Sequence, residues 1–239
     1  MHSGAMRSHE RLAEARRVAQ PTGEWWTSRQ YRAVSIFLSV PLARAGVRAN
    51  HITVAWGLVG FLGAVALACP HYWVRVGGAC LLEFSELLDF VDGEVARLTK
   101  QTSRRGIFLD LVSHEVIRQS LFLPLSYGVF KATNNLAYLF FGFFAAVFVS
   151  VYEKAFFLAE CAGMKDLARD EGSTPQTQCA SLLRKIVSPL FLLMRHTKEL
   201  ILVGAIFDRL AWVLLFYAVV APVLSLWRIY RLFLRLKQD

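Results

Sequence analysis

Residues 89–114 read DFVDGEVARLTKQTSRRGIFLDLVSH, and apolar runs flank this stretch on both sides. It contains three aspartates, one glutamate, four basic residues and a terminal histidine, in a chain that is 55% hydrophobic. An ionised group near the centre of a bilayer costs roughly 2.5–3.5 kcal/mol even on lenient scales. So many charged groups within an apolar region therefore indicate side chains that have partners or a ligand.

The apolar runs approach the ~20 residues that a helix needs to cross a bilayer. Only 19% of the 239 residues are charged, less than is usual for a soluble domain of this length. We predict an all-α integral membrane protein with a bundle of six transmembrane helices, because helices satisfy their own backbone hydrogen bonds in lipid. The predicted spans are residues 52–69, 73–98, 106–130, 134–158, 186–207 and 210–234.

The segment before the first span changes from polar to amphipathic. We predict a polar cytoplasmic segment over residues 1–30, an amphipathic interfacial helix over residues 31–47, and the six-helix membrane domain over residues 48–235. A seventh span is the alternative for the interfacial helix. Pro41 and Arg44 disfavour it, because they interrupt the apolar part of this segment.

The distribution of Lys and Arg predicts the orientation of the chain. The net charge is +9, and with a cytoplasmic N-terminus 23 of the 27 Lys and Arg residues lie on the cytoplasmic side and three on the other. This is the positive-inside pattern, so both termini and the active site are predicted to be cytoplasmic, in a bacterial inner membrane. The basic charge is then explained by topology and by attraction to membrane lipids. No nucleic-acid partner is expected.

Helical geometry predicts that the acidic residues lie on facing sides of two neighbouring helices. At about 100° per residue, Asp89, Asp92 and Gly93 share one side of the second span, and Asp110 and His114 form a stripe on the third. The connection between these spans is short, so the two helices are antiparallel neighbours. Three carboxylates and one imidazole then meet near the cytoplasmic end, and such ligands suit Mg²⁺, Mn²⁺ or Ca²⁺.

Small residues beside the acids predict the close approach of a ligand or of another helix. Gly93 and Ala96 remove side-chain bulk from the acidic side, and Gly106 lies at the start of the third span. Such gaps let helices pack closely, or let a flat ligand reach the backbone. Arg97, one turn after Gly93, carries a guanidinium that suits a phosphate.

At these residues the sequence resembles the CDP-alcohol phosphotransferase family of integral membrane enzymes. The family signature is D-x-x-D-G-x-x-A-R, followed after seven or eight residues by G-x-x-x-D-x-x-x-D. RANHIT at 48–53 is similar to the family's Pro-Asn-x-x-Thr motif, and SVYEKAFFLAE at 150–160 is similar to its Ser-Tyr-x-Arg/Lys-Ala segment. The signature positions that match are Asp89, Asp92, Gly93, Ala96, Arg97, Gly106 and Asp110.

His114 occupies the position of the last aspartate of the signature, which in the family is the proposed general base and helps to hold a second metal. Three interpretations are open. The imidazole serves as the base, since it exchanges protons near neutral pH. Alternatively, the site holds one metal firmly and a second weakly, or the chain is a pseudoenzyme. We favour the base, because His114 keeps the position and the proton-accepting chemistry of the aspartate.

The resemblance implies a transferase that moves a substituted phosphate from a CDP-linked donor to an acceptor alcohol and releases CMP. CDP-diacylglycerol is the expected donor, with a small CDP-alcohol as the alternative. One or two Mg²⁺ or Mn²⁺ ions are expected on Asp89, Asp92, Asp110 and His114, and Asp89, Asp110 and His114 are the expected catalytic residues. The expected nucleotide contacts are Gly93, Ala96, Arg97, Gly106, Asn50 and Thr53.

Acceptor recognition is predicted from weaker signals. Lys154 matches a family position near the acceptor, where a cation suits a phosphorylated alcohol, but a lysine at a span end also fits topology alone. Glu86 and Ser85 are placed to hydrogen-bond a polyol, and Arg118 either contacts the acceptor or pairs with Glu86. Four later basic residues suit lipid headgroups better than acceptor phosphate: Arg184, Lys185, Arg195 and Lys198.

Two other classes of protein stay open, a non-catalytic CDP-lipid binder and a cation transporter that uses the acidic residues. Transport is disfavoured because the acids lie near one end of the bundle and spans four to six carry no matching acidic stripe. Since members of the family commonly pair, a homodimer is expected.

Overall fold

The computed structural model describes residues 14–19, 26–161, 190–194 and 196–236, and no strand occurs among them. The all-α prediction is confirmed for this part of the chain. The longer helices are α1 (Trp26–Arg44), α2 (Ala49–Ala66), α3 (Tyr72–Leu98), α4 (Arg104–Thr133), α5 (Ala137–Cys161), α6 (Thr197–Ile206) and α7 (Leu210–Leu236).

Three helices in the described residues are long and apolar enough to cross a membrane, namely α2, α5 and α7. They correspond to the first, fourth and sixth predicted spans. The helices α3 and α4 are 27 and 30 residues long, but both carry charged residues of the quoted stretch. The helix α6 has ten residues, and part of the predicted span at 186–207 lies outside the described residues.

The turn between α3 and α4 is built from a helix stop followed by a helix start. Lys100 adopts the left-handed conformation with φ 55°, and the Gln101 N–H donates to the Ala96 carbonyl over 3.0 Å. This is a Schellman arrangement, which ends a helix sharply. The Gly106 N–H then donates to the Ser103 hydroxyl over 3.1 Å, as at a capped helix start. The two helices are thus joined by a short reversal of the chain.

Contacts between residues divide the chain into two compact units. The first contains the described residues up to Gly63 and the segment Cys80–Ile117, and it includes every aspartate of the signature. The second contains Ala64–Ala79 and the described residues from Arg118 onwards. The quoted stretch therefore lies wholly within the first unit.

In the second unit, α5 and α7 pack against each other through hydrogen bonds as well as apolar contacts. The Ser225 hydroxyl donates to the Phe148 carbonyl over 2.7 Å. The buried guanidinium of Arg228 donates to the Tyr152 carbonyl over 2.7 Å, and its central carbon lies 3.7 Å from the centre of the Tyr152 ring. A buried arginine in an apolar helix is thereby satisfied by a neighbouring backbone and an aromatic face.

In the first unit, the side of α1 that packs on α3 is polar. The hydroxyls of Ser35 and Ser39 donate to the carboxylate of Glu94 over 2.8 and 2.6 Å. The Arg32 guanidinium lies 3.6 Å from the same carboxylate, which is fully buried. These contacts tie α1 to the turn of α3 that follows Asp92, because Glu94 lies only two residues further along the helix.

The opposite side of α1 is apolar and exposed. Val34 and Phe37 are 53% and 57% exposed, whereas Ser35 and Ser39 are fully buried. A helix that buries its hydroxyls and exposes its hydrocarbon side chains is arranged for an apolar surrounding rather than for water. This helix overlaps the segment predicted as interfacial, residues 31–47, although it begins at Trp26 and ends at Arg44.

Replacing Glu94 by alanine is expected to lower the free energy of unfolding by about 3–5 kcal/mol, because it removes one member of a buried charged network. The hydroxyls of Ser35 and Ser39 lose their charged acceptor, and Arg32 loses a neighbouring carboxylate. Thermal unfolding in detergent measures the effect. Glu14→Ala, at an exposed carboxylate, is the control and is expected to leave the melting temperature unchanged. Equal melting temperatures for both variants would contradict this prediction.

Candidate metal and nucleotide site

Three side chains from α3 and α4 form the centre of the site. Asp89 lies on α3, and Asp110 and His114 lie one turn apart on α4. One potential ligand atom of each residue lies within 4.8 Å of those of the others. Nε2 of His114 is 3.3 Å from Oδ1 of Asp89 and 3.6 Å from Oδ1 of Asp110. The turn between α3 and α4 thus brings two carboxylates and one imidazole together.

Asp92, the fourth predicted metal ligand, directs one oxygen at α2. Its Oδ2 accepts a hydrogen bond from the Thr53 hydroxyl over 2.6 Å and another from the Trp56 indole N–H over 2.8 Å. The carboxylate is buried, and it lies close enough to Asp89 and Asp110 for their charges to act on it. Asp92 does not belong to the group whose ligand atoms lie within 4.8 Å of one another, and its hydrogen bonds hold its carboxylate against α2.

The chemistry of the donor set fits a hard divalent cation. Oδ1 of Asp110 is buried, and it accepts no hydrogen bond from the described residues. Carboxylate oxygens held close together repel one another, and a cation between them reverses that repulsion. Among the described residues, this is the only group of three or more His, Cys, Asp or Glu side chains with the closeness that a metal site requires.

Trp56 contacts two residues of the candidate site, although it was not predicted from the sequence. It is fully buried, and its ring centroid lies 4.8 Å from that of His114 with 49° between the planes. The available signal was its spacing, because Asn50, Thr53 and Trp56 recur every three residues and so lie on one side of α2. An apolar aromatic residue in an apolar helix is ordinarily assigned to packing, and this one both packs and donates a hydrogen bond.

Two of the predicted nucleotide contacts, Gly106 and Asn50, lie against each other. A Cβ atom added at Gly106 would lie 2.9 Å from Oδ1 of Asn50, so the asparagine occupies the space that the glycine leaves. At Gly93 an added Cβ would lie 3.4 Å from both terminal nitrogens of Arg97, which folds back over its own helix. Ala96 packs against a buried apolar cluster of Ala49, Ile52, Val91 and Val95.

Arg97 also reaches the N-terminal part of the chain. Its Nε donates to the carbonyl oxygen of Ala19, the last of the described helical residues 14–19. Ala19 is fully buried. The guanidinium predicted to bind phosphate therefore has a backbone partner as well as its position beside Gly93.

Glu86 and Ser85, predicted near the acceptor, have different surroundings. Glu86 is half-buried and lies close enough to His114 for its charge to act on the imidazole. Ser85 is fully buried, and its hydroxyl donates to the Leu82 carbonyl over 2.7 Å. The same hydroxyl lies 3.0 Å from the position of a Cβ on Gly60, so Ser85 fills the contact between α2 and α3.

The remaining acceptor candidates, Arg118 and Lys154, belong to the second unit. Arg118 is half-buried on α4, and Lys154 is exposed on α5. Lys198 lies near the start of α6. The other basic residues assigned to lipid headgroups lie outside the described residues: Arg184, Lys185 and Arg195.

Apolar helices of membrane-spanning length, together with a carboxylate–imidazole cluster between two neighbouring helices, are typical of a membrane protein with a candidate metal site. The family described as CDP-alcohol phosphatidyltransferase matches the chain over residues 47–224. The chain therefore belongs to this family. The resemblance noted from the sequence is confirmed.

A sequence relative is the bifunctional IPC transferase and DIPP synthase of Aquifex aeolicus (strain VF5), which is 26% identical over 174 residues. The match covers 71% of this chain and 38% of the relative, so the chain spans well under half of that protein's length.

Solved structures of Mycobacterium tuberculosis phosphatidylinositol phosphate synthase share the fold. The structure with CDP-DAG bound has a TM-score of 0.63 and 18% identity, covering 84% of this chain and 94% of that one. The complex with manganese and citrate has a TM-score of 0.61 and 19% identity, covering 84% and 89%.

Proposed function

We propose that this enzyme transfers a phosphatidyl group from CDP-diacylglycerol to a polar acceptor alcohol and releases CMP. The observation that carries the proposal is the cluster of Asp89, Asp110 and His114 beside Asp92, in a chain of this family. The M. tuberculosis protein of similar fold was solved with CDP-DAG, which supports a lipid-linked donor.

Mg²⁺ or Mn²⁺ is the proposed cofactor, held by Asp89, Asp92 and Asp110, and His114 is a ligand only in the alternative in which it does not act as the base. Carboxylate oxygens are the preferred ligands of these ions, and the buried Oδ1 of Asp110 supports a cation in this position. When bound, a divalent ion stabilises negative charge on the diphosphate during transfer. The manganese in the M. tuberculosis protein supports the choice of metal.

His114 is the proposed general base. The acceptor oxygen attacks the phosphorus distal to cytidine, the bond to the bridging oxygen breaks, and CMP leaves with the electron pair. The acceptor proton passes to Nε2 of His114, where the carboxylates of Asp89 and Asp110 at 3.3 and 3.6 Å stabilise the imidazolium. The His114 side chain is 34% exposed, so an acceptor can approach it.

The cytidine diphosphate is proposed to lie beside Gly93 and Gly106, against the Arg97 and Asn50 side chains that occupy the space these glycines leave. Arg97 supplies a positive charge beside Gly93, and Asn50 supplies an amide beside Gly106. Thr53 acts through its hydrogen bond to Asp92. Ala96 contributes by its small size.

The acceptor is proposed to contact Glu86, which lies in the first unit and whose charge acts on the imidazole of His114. Arg118 and Lys154 remain proposed contacts for a phosphorylated alcohol. The homodimer remains an untested prediction.

The proposed topology has six spans, cytoplasmic termini and an N-terminal helix embedded at the membrane surface. The positive-inside distribution supports the orientation. The exposed apolar side chains of α1, among them Val34 and Phe37, support contact of this helix with lipid. The domain bounds remain those predicted, with the membrane domain over residues 48–235.

The proposal predicts CMP release from CDP-diacylglycerol by the purified protein in mixed micelles, dependent on Mn²⁺ or Mg²⁺ and on an acceptor. The assay compares phosphorylated polyols, free polyols and amino alcohols, with and without EDTA. We expect one acceptor class to raise the rate by about 10²-fold or more over the rate without acceptor. If the protein turns over small CDP-alcohols but not CDP-diacylglycerol, the proposal of a lipid-linked donor is contradicted. Thermal stabilisation by the donor without any turnover would favour the non-catalytic CDP-lipid binder instead.

A further inference from the structure

The indole of Trp56 touches two predicted ligands of the metal from a third helix. Its N–H donates to Oδ2 of Asp92 over 2.8 Å, and its ring lies 4.8 Å, centre to centre, from the imidazole of His114. Asp92 comes from α3, His114 from α4 and Trp56 from α2. All three lie in the first unit, and the indole is fully buried.

Each contact restricts a different motion. A hydrogen bond from an N–H to a carboxylate is charge-assisted, and it fixes the plane of the Asp92 carboxylate together with the bond from Thr53. The tilted aromatic contact limits rotation of the His114 ring. Because one rigid, buried indole makes both contacts, it links the position of the carboxylate to that of the imidazole.

We infer that Trp56 is a positioning residue that holds the Asp92 carboxylate and the His114 imidazole in fixed relation to each other. The inference rests on the proposed function for the role of His114, and on the metal site for the role of Asp92. In the family signature an aspartate stands at the position of His114, and an aspartate has no ring to pack on an indole. The ring contact with Trp56 is therefore one that the aspartate of the signature could not make.

The two contacts are separable by substitution. Trp56→Phe removes the N–H and keeps an aromatic ring, whereas Trp56→Leu removes both. Trp212→Phe is the matched control, because Trp212 is 65% exposed on α7 in the second unit. Thermal unfolding and gel filtration establish that each variant is folded.

Metal binding tests the contact with Asp92 independently of turnover. Mn²⁺ is titrated into purified protein, and the free ion is measured by electron paramagnetic resonance. We expect Trp56→Phe to weaken Mn²⁺ binding about 10-fold, as is typical when a hydrogen bond to a metal ligand is removed, and Trp212→Phe to leave it unchanged. Binding by Trp56→Phe equal to that of the unmodified protein would overturn this half of the inference. If Trp56→Leu does not fold, the Mn²⁺ titration of Trp56→Phe still tests the contact with Asp92.

Turnover at saturating Mn²⁺ tests the contact with His114. We expect Trp56→Phe to keep kcat within about threefold, and Trp56→Leu to lose about 10-fold or more in kcat with little change in KM for the donor. In a His114→Asp background the two Trp56 variants are expected to have equal kcat. If Trp56→Phe and Trp56→Leu have equal kcat while His114 is present, the half of the inference that concerns His114 is overturned. Absence of CMP release from the unmodified protein would instead remove the proposed function, while the Mn²⁺ titration would still test the contact with Asp92.

Discussion

Replacing Asp89 by alanine will abolish metal-dependent CMP release, with an expected loss of roughly 10³-fold or more. Asp89 is a proposed metal ligand and lies 3.3 Å from Nε2 of His114, so its removal takes away a ligand of the proposed site and a charge that stabilises the imidazolium. A metal ion contributes several kcal/mol to stabilising the transition state of phosphoryl transfer, and each 1.4 kcal/mol is about tenfold in rate. Turnover and Mn²⁺ affinity are measured on the same preparation.

Asp89→Asn is the sharper version of this test, because it removes the charge and keeps the volume of the side chain. Asp89 is only 20% exposed, so an isosteric change leaves the packing between α3 and α4 intact. We expect the same loss of turnover and an unchanged melting temperature. The matched control is Asp208→Asn, a carboxylate that pairs with Arg75 in the second unit. Substantial turnover by Asp89→Asn would remove Asp89 from the mechanism.

Local features of the sequence predicted the centre of the site. Asp110 and His114 are four residues apart on one helix, and a connection of five residues joins that helix to the one bearing Asp89. Helical periodicity and a short turn are enough to bring such residues together, whatever the rest of the chain does. The all-helical fold was also predicted from a local feature, the apolar runs, because helices satisfy their own backbone hydrogen bonds in lipid.

The contacts of the site with α1 and α2 were not predictable from periodicity. The hydrogen bonds from Trp56 to Asp92 and from Ser39 to Glu94 join residues 36 and 55 positions apart, and nothing in the local pattern specifies them. In an apolar chain, a serine or tryptophan on a helix is compatible with packing against lipid or against protein. Only the arrangement of the helices shows which polar group meets which.

The structure of α1 illustrates why amphipathic patterns are ambiguous near a membrane. The sequence shows that polar and apolar side chains alternate around the helix, and this pattern led to the prediction of a helix at the membrane surface. In the structure the polar side packs on Glu94 and the apolar side is exposed. A periodic pattern therefore identifies two sides of a helix, but the partner of each side depends on charged residues elsewhere in the chain.

Replacing His114 by alanine is expected to slow CMP release about 10²–10⁴-fold, the usual contribution of a general base. The measurement is kcat at Mn²⁺ concentrations that saturate each variant, so that a change in metal affinity does not enter the rate. His114→Asp restores the residue of the family signature, and we expect it to recover most of the turnover that His114→Ala loses. A carboxylate at this position accepts a proton, as the imidazole does, and before it does so it carries a negative charge that the neutral imidazole lacks.

The Mn²⁺ affinities of the same two variants separate the roles of the imidazole. A histidine that acts chiefly as a base predicts for His114→Ala a large loss in kcat with Mn²⁺ affinity changed less than about tenfold. If His114 acts chiefly as a ligand, His114→Ala is expected to bind Mn²⁺ much more weakly and to recover its kcat once the Mn²⁺ concentration is raised. Nε2 lies 3.3 and 3.6 Å from the two carboxylates, distances suited to stabilising a proton on the ring, and this geometry favours the base. Unchanged kcat in His114→Ala would remove His114 from the proton transfer.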